Sequence, residues 1–246
     1  MISVPLSGGS PLHPTVTYSV SPLFEAAASL HSLAHTTQTK EHSDWAEELL
    51  SGFDSEGILK EWEYFAPIFR ETIPDVLDPV QTKEVMFVED LYGYFVQMPT
   101  TSFTKSFLTP EDGREIGNAP PAIYQDARQD AEFVKGRFSL FLSTYWLLFF
   151  EEKWEKIAPL FVNEAENIYE AIRTPEGCMA FLQKVAPLFT YREEEQKLIC
   201  DDGTTENVQA DQLILCPSYF YDQVRLVKEG LSTYLIYPMK KWKTPR

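Results

Sequence analysis

The sequence predicts an α+β fold: a mostly helical domain with a small C-terminal β-sheet, which an N-terminal strand is positioned to join. Three observations carry this expectation. Apolar residues recur at helical spacing from Leu23 to about Leu188, with capping residues at the segment starts. After Tyr191 the character changes to short β-favouring runs, "KLIC", "QLILC" and "STYLIYP", divided by the turn signals Asp201-Asp202-Gly203 and Lys228-Glu229-Gly230. A β-branched stretch at Thr15–Val20 precedes the first helix.

Residues 1–14 carry Gly8-Gly9, prolines and few hydrophobes, which predicts a flexible tail with order beginning near Thr15. Ser21 is a good N-cap and Pro22 suits the first helical position, so the strand hands over to a helix there. That helix, "LFEAAASLHSLAH", puts Leu23, Ala27, Leu30 and Ala34 on one stripe with Leu33 beside it, and Glu25 near the positive end of its dipole. Further helices are predicted at Ser43–Gly52, Ser55–Thr72 and Thr82–Gln97, with Pro74 and Pro99 beyond two of the ends. "GFDSEG" (Gly52–Gly57) reads as a solvent loop between two of them. Thr100–Pro121, rich in Thr, Pro, Gly and Asn, predicts a long surface connection.

Ala122–Arg173 is helical again, with Pro159 placed to kink or break it. Thr174-Pro175-Glu176 then caps one more helix running to about Leu188. The most apolar run, "FSLFLSTYWLLFF" (Phe138–Phe150), is flanked by Lys135, Arg137, Glu151 and Glu152. It is too short for a membrane crossing, which takes roughly 20 residues, and reads as a buried helix at the centre of the fold. "QLILCPSYFYDQ" (Gln212–Gln223) is a buried strand that stops at Pro217-Ser218 before an aromatic triplet.

At 246 residues and 44% apolar, the chain can bury a substantial core as one large domain or two small ones. Its 37 acidic and 21 basic residues give a net charge of −16, a field that repels nucleic acid and anionic lipid. Three cysteines (Cys178, Cys200, Cys216) make an odd count with no CxxC, and the N-terminus does not read as a secretory signal. A cytoplasmic protein with no membrane partner is the expectation.

Phosphate-cradling, dinucleotide, zincin and nucleophile-elbow motifs are all missing from the sequence, so neither an enzyme nor a cofactor is predicted. His31 and His35 would share one helix face, as two metal ligands should, but both lie off the apolar stripe and have no cysteine nearby in sequence. No metal site is assigned. The acidic clusters Glu193-Glu194-Glu195 and Glu151-Glu152 stand at element ends, where solvation is the ordinary role. The aromatic residues Tyr145, Trp146, Phe149, Phe150 and Trp154, with Tyr219-Phe220-Tyr221, suggest either plain core or an apolar ligand pocket. In the pocket reading, Tyr145, Trp146, Phe149, Tyr219 and Phe220 are the ligand-binding residues.

Several short motifs follow one another in an order that matches a known family. They are "SVSPLFEAAASL" (Ser19–Leu30), "PDVL" (Pro74–Leu77), "EKWEKIAPLFVNEAE" (Glu152–Glu166), "LILCPSYF" (Leu213–Phe220) and "YLIYP" (Tyr234–Pro238). This arrangement resembles bacterial ArsR-like winged helix-turn-helix transcriptional regulators that carry a long N-terminal domain read as regulatory. The matching positions are Ser21, Pro22, Leu23, Glu25, Pro217, Ser218, Phe220, Tyr237 and Pro238.

The resemblance implies a regulatory and dimerisation domain over residues 15–239. Residues 240–246, with Lys240, Lys241, Lys243 and Arg246, would form a basic linker toward a DNA-reading module missing from this chain, which reads as an excised domain. The implied partners are a second copy of the chain, a small-molecule effector, and DNA only through that missing module. Two other functions compete with this one: an enzyme or binding protein for a hydrophobic small molecule, and a protein-interaction module with no ligand.

Overall fold

The computed structural model describes residues 2–6, 12, 15–35, 43–107, 121–200 and 208–239. It has the expected α+β class, and it divides into two units where one domain over 15–239 was expected. One unit is Ser21–Trp154 and the other joins Met1–Val20 to Glu155–Arg246. The reason is connectivity: the chain leaves the strand-bearing unit at Val20 and returns to it only at Glu155, inside a helix.

Two strands come first, β1 (Ile2–Pro5) and β2 (Val16–Tyr18). The helical unit then runs through α1 (Pro22–Ala34), α2 (Ser43–Ser55), α3 (Leu59–Glu71), a 3-10 turn at Asp75–Leu77, α4 (Pro79–Thr82), α5 (Val88–Gln97), α6 (Thr100–Phe107), α7 (Ala122–Gln129) and α8 (Ala131–Tyr145). A π-helical turn, Trp146–Phe150, leads into α9 (Glu151–Ala171).

Local chemistry sets these boundaries. Ser21 Oγ accepts from the Phe24 amide at 3.0 Å, and Pro22 opens α1, as expected. Helix α2 runs into the predicted loop as far as Ser55, because Phe53 belongs to the core and Gly57, at φ +74°, supplies the left-handed residue that ends the turn. Gly52 is needed there: a Cβ would lie 2.7 Å from the Phe149 ring. The helix predicted from Thr82 starts only at Val88, where the Asp90 carboxylate accepts from the Met86 and Phe87 amides and resets the backbone. Thr100–Phe107 forms a helix in place of part of the surface connection, anchored by the buried Phe103; residues 108–120 lie outside those described.

The core of this unit is aromatic. Phe138 of α8 stands 5.0 Å from Phe65, 5.8 Å from Phe95, 6.1 Å from Phe103 and 6.2 Å from Phe69, measured between ring centroids. The run Phe138–Phe150 is central, as expected, but not buried all round, since Leu140, Leu147 and Leu148 face solvent.

The strand-bearing unit continues with α10 (Pro175–Val185), β3 (Phe189–Arg192), β4 (Lys197–Cys200), β5 (Val208–Gln209), β6 (Gln212–Ser218), β7 (Arg225–Glu229) and β8 (Ser232–Pro238). Pro159 lies inside α9 without ending it, because the carbonyl it fails to pair, on Glu155, is on an exposed residue. One sheet has the order β3-β4-β1-β5 and the other β2-β6-β8-β7. The second sheet is mixed, with β2, β6 and β8 parallel and β7 antiparallel to β8. Gly230, at φ +57°, makes the tight β7–β8 turn.

The expectation of a loose tail over residues 1–14 needs correction at the described residues, 2–6 and 12. Ile2, Val4, Leu6 and Leu12 are buried, β1 pairs antiparallel with β4, and the Leu6 and Leu12 amides donate to the Gln196 and Ile172 carbonyls. The alternation Ile2-Ser3-Val4 is a strand signal that prolines and glycines nearby mask. These side chains join Val16, Ile168, Leu182, Phe189, Leu213, Leu215, Leu235 and Tyr237 in one core.

Strand β2 does join β6, as anticipated. Strand β6, however, runs through Pro217 to Ser218 and does not stop before it. Strand β2 ends opposite Leu215, so by Pro217 one flank of β6 has no partner strand and a missing amide is tolerated.

Candidate functional site

Helix α1 is apolar on nearly every side yet buries three polar residues at four-residue spacing, Ser21, Glu25 and Ser29, which places them on one face. Burying such groups costs free energy unless they are hydrogen-bonded, so their partners matter. Ser21 Oγ lies 2.6 Å from Thr82 Oγ1, and Thr82 Oγ1 also donates to the Asp78 carbonyl at 2.9 Å. Ser29 Oγ lies 2.6 Å from the Tyr145 hydroxyl. Asp78 is itself buried, so the "VLDP" stretch (Val76–Pro79) carries a second charged group into this interior.

The segment Pro74–Thr82 has two faces. Thr82 meets the α1 cap, while Asp75, Val76 and Gln81 form one wall of a cleft of about 480 Å³. Helices α5 and α6 and the junction between them supply the other walls: Tyr94, Gln97, Met98, Pro99, Ser102, Lys105 and Ser106. The Tyr94 hydroxyl donates to the Val76 carbonyl and ties α5 to the segment. Burial, with the nearby Asp78 carboxylate, raises the Tyr94 phenol well above its ordinary range, so it remains a donor at any physiological pH.

The far side of this wall is also pinned. Lys135 of α8, buried, donates from Nζ to the Met98 carbonyl at 3.1 Å and pairs with Glu132 at 2.9 Å. Glu132 accepts from the Thr100 hydroxyl as well, and that hydroxyl and Lys135 hold its carboxyl below the usual carboxylate range. One lysine therefore fixes the α5–α6 junction from which the cleft opens.

Such a cleft can take a small molecule. Its volume falls within the usual range for ligand sites, roughly 300–1,000 Å³. Gln81, Gln97, Ser102 and Ser106 offer donors and acceptors, Met98 and Val76 apolar surface, and Lys105 and Asp75 one charge of each sign.

The five aromatic residues expected to line a pocket are divided between the two units. Tyr145, Trp146 and Phe149 belong to the helical unit, whereas Tyr219 and Phe220 belong to the strand-bearing one. Tyr145 uses its ring on Phe53 (5.9 Å) and Phe150 (6.1 Å), Trp146 stands edge-on to Phe150 at 5.6 Å, and Phe149 packs on Phe53 at 5.0 Å. Tyr219 and Phe220 are half-buried and stack edge to face at 5.0 Å.

His31 Nδ1 bonds the Phe69 carbonyl at 2.7 Å and His35 Nδ1 bonds the His31 carbonyl at 2.8 Å, so each ring commits one nitrogen to backbone. Among the described residues no group of three His, Cys, Asp or Glu side chains is placed to hold a metal ion. His42 lies outside the described residues.

The residues that carry the family resemblance fall into two clusters. Ser21, Pro22, Leu23 and Glu25 begin α1, and the "PDVL" residues, Pro74–Leu77, lead into the segment that Ser21 touches through Thr82. In the other unit, Ser218 Oγ accepts from the Tyr221 amide at 3.0 Å, the Met239 amide donates to the Ser218 carbonyl at 2.7 Å, and Pro217 and Ser218 pair with Tyr237 and Pro238. The Tyr237 hydroxyl donates to Glu164 of α9 at 3.0 Å.

Sequence reasoning passed over Gln81, Tyr94, Gln97, Ser102, Lys105 and Ser106. Their one signal was "PDVLDP", two prolines framing acids and apolar residues, which marks an irregular segment with buried charge. No family model, no curated protein and no solved structure matches the chain.

Proposed function

We propose that the chain is the effector-sensing and dimerisation domain of a bacterial transcriptional regulator, cytoplasmic and non-enzymatic, with the α5–α6 cleft as its effector site. The resemblance of the ordered motifs supplies the class, and one structural observation supports the sensing role. The Pro74–Thr82 segment lines the cleft with Asp75, Val76 and Gln81 and, through Thr82, bonds Ser21. Ser21 is the residue at which the chain passes from the strand-bearing unit into the helical one. An effector seated in the cleft acts on a segment bonded to that crossing.

The effector fitting these walls is a small polar molecule with an anionic group for Lys105 and further acceptors and donors for Gln81, Gln97, Ser102 and Ser106. Regulation then requires that the effector bind one arrangement of the segment more tightly than another, and the coupling is limited to that difference. With a net charge of −16 the body does not hold DNA, so the reading module belongs elsewhere in the full-length regulator.

The test is the reading frame continuous with Arg246 and the behaviour of the protein it encodes. A winged helix-turn-helix after Arg246, with DNA retention altered by a polar small-molecule library and insensitive to it in K105A and Q97A, supports the proposal. A frame that ends at Arg246, or DNA retention unchanged by every cleft substitution and every library compound, overturns it.

A further inference from the structure

Two charged side chains line the α5–α6 cleft, Lys105 on α6 and Asp75 at the start of the 3-10 turn, and the other lining residues are neutral. The site therefore has no net charge of its own, and its two charges belong to different elements. Both residues are exposed, so each charge is reachable from solvent.

The Lys105 side of the cleft suits an anion. None of the ion pairs among the described residues uses Lys105. Ser106 donates its hydroxyl to the Phe103 carbonyl at 3.2 Å, whereas Ser102 stands three residues before Lys105, hence on the same face of α6, and lines the cleft with it. An ammonium and a hydroxyl on one helix face match a carboxylate, whose two oxygens accept from both.

The Asp75 side asks for the opposite group. A carboxylate has about four lone-pair sites on its two oxygens, so it accepts from a ligand ammonium in addition to any bond within the chain. The neighbouring phenol does not compete for it, because the Tyr94 hydroxyl donates to the Val76 carbonyl. Val76, Met98 and Pro99 add apolar surface for a carbon body.

The balance of charge selects the ligand. A plain anion would pair with Lys105 but face Asp75, and it would approach a body of net charge −16. A plain amine would pair with Asp75 but face Lys105. Like charges brought together at a binding surface cost several kcal/mol. A molecule that carries both charges satisfies both walls and, being neutral as a whole, is not repelled by the field of the body.

We infer that the cleft takes an amino-carboxylate zwitterion with an aliphatic body, supplied as a free amino acid or a short peptide, its carboxylate on Lys105 and Ser102 and its ammonium on Asp75. This rests on the reading of the cleft as the effector site, and adds to it the second charge and the class of molecule.

The experiment is calorimetric titration of the 246-residue chain with leucine and with leucylglycine. Each is also titrated as its N-acetyl form, which lacks the ammonium, and as its amide, which lacks the carboxylate. At least one of the two zwitterions should bind about 10-fold or more tighter than either of its blocked forms, since each blocked form loses a charge-assisted hydrogen bond. The tighter of the two identifies the source. D75N should abolish the preference over the N-acetyl form and keep that over the amide, and K105M should do the reverse. Both positions are exposed, so the melting temperature without ligand should not move.

Failure of both zwitterions to bind at millimolar concentration overturns the inference. So do N-acetyl forms or amides that bind as tightly as the parent molecules, and preferences that D75N and K105M leave intact. No DNA enters this measurement, which keeps the two readings apart. Zwitterion binding that leaves DNA retention by the full-length regulator unmoved overturns the regulatory reading alone. DNA retention that responds through the cleft to an anion with no ammonium group overturns the zwitterion alone.

Discussion

The two units handle polarity differently. In the helical unit, Ser21, Glu25, Ser29, Asp78, Thr82, Lys135 and Ser139 are buried among aromatic rings. In the strand-bearing unit, the buried polar residues among those described are Ser218 and Thr233. Sheets satisfy their own backbone and ask for apolar side chains; buried charge is costly and gives specificity of arrangement only where each group is paired. The contrast teaches that the strand-bearing unit serves as frame, and that chemistry in the helical unit concentrates where its buried polar groups converge, at the Pro74–Thr82 segment.

Two sets of intrinsic probes can break this comparison. Four of the five tryptophans, Trp45, Trp62, Trp146 and Trp154, report on the helical unit once Trp242 is replaced by phenylalanine, and Cys178, Cys200 and Cys216, all buried, report on the strand-bearing unit. The largest effect is expected for F138A, which removes the ring shared by Phe65, Phe69, Phe95 and Phe103 and should cost about 3–5 kcal/mol. Denaturant titration should show the tryptophan transition moving further than the onset of thiol labelling. Equal movement of both would mean the units unfold as one.

S21A comes next. It removes the α1 cap and leaves the buried Thr82 hydroxyl with one fewer partner, at about 1–2 kcal/mol. T174A, which removes the exposed cap of α10, should cost less. A smaller loss for S21A than for T174A would contradict the role given to the buried network. In the frame, Y237F should cost about 1 kcal/mol by deleting the bond to Glu164, measured by thiol-labelling rates.

A pH series sharpens the contrast further. Burial, then the Asp126 carboxylate, pushes the Tyr64 phenol up to about 12, and burial raises Tyr94, Tyr145 and Tyr237 as well. A phenol whose folded pKa exceeds its unfolded value of about 10 stabilises the fold fully below that value. The contribution is lost as pH rises through the folded value. Melting temperature should therefore fall by a few degrees between about pH 10 and 12, with the last fraction of tyrosinate absorbance, that of these four phenols, appearing at unfolding; absorbance that saturates while the fold persists would refute this. The smallest effect is chemical: burial pushes the Cys178 thiol up to about 12, so at neutral pH it should resist alkylation until the frame opens.

Much of this was legible in the sequence, for identifiable reasons. Ser21-Pro22 and Thr174-Pro175 are local signals, and both start helices where expected. The strand pairing of Thr15–Val20 with the C-terminal sheet follows from β-branched composition. What escaped depends on residues far apart in the chain. Ile2–Pro5 looks like a tail until β4 and β5 are there to flank it, and Phe103 looks like part of a loop until Phe138 is near. The cleft was invisible because amides, hydroxyls and a lone lysine carry no periodicity.

The parallel pairing of β6 with β8 carries one last consequence. Both strands leave the sheet at the same rim, where the Met239 amide is latched to the Ser218 carbonyl at 2.7 Å. The direction in which the chain passes Met239 is therefore set by two strands, β6 and β8, and loosening either one would release it.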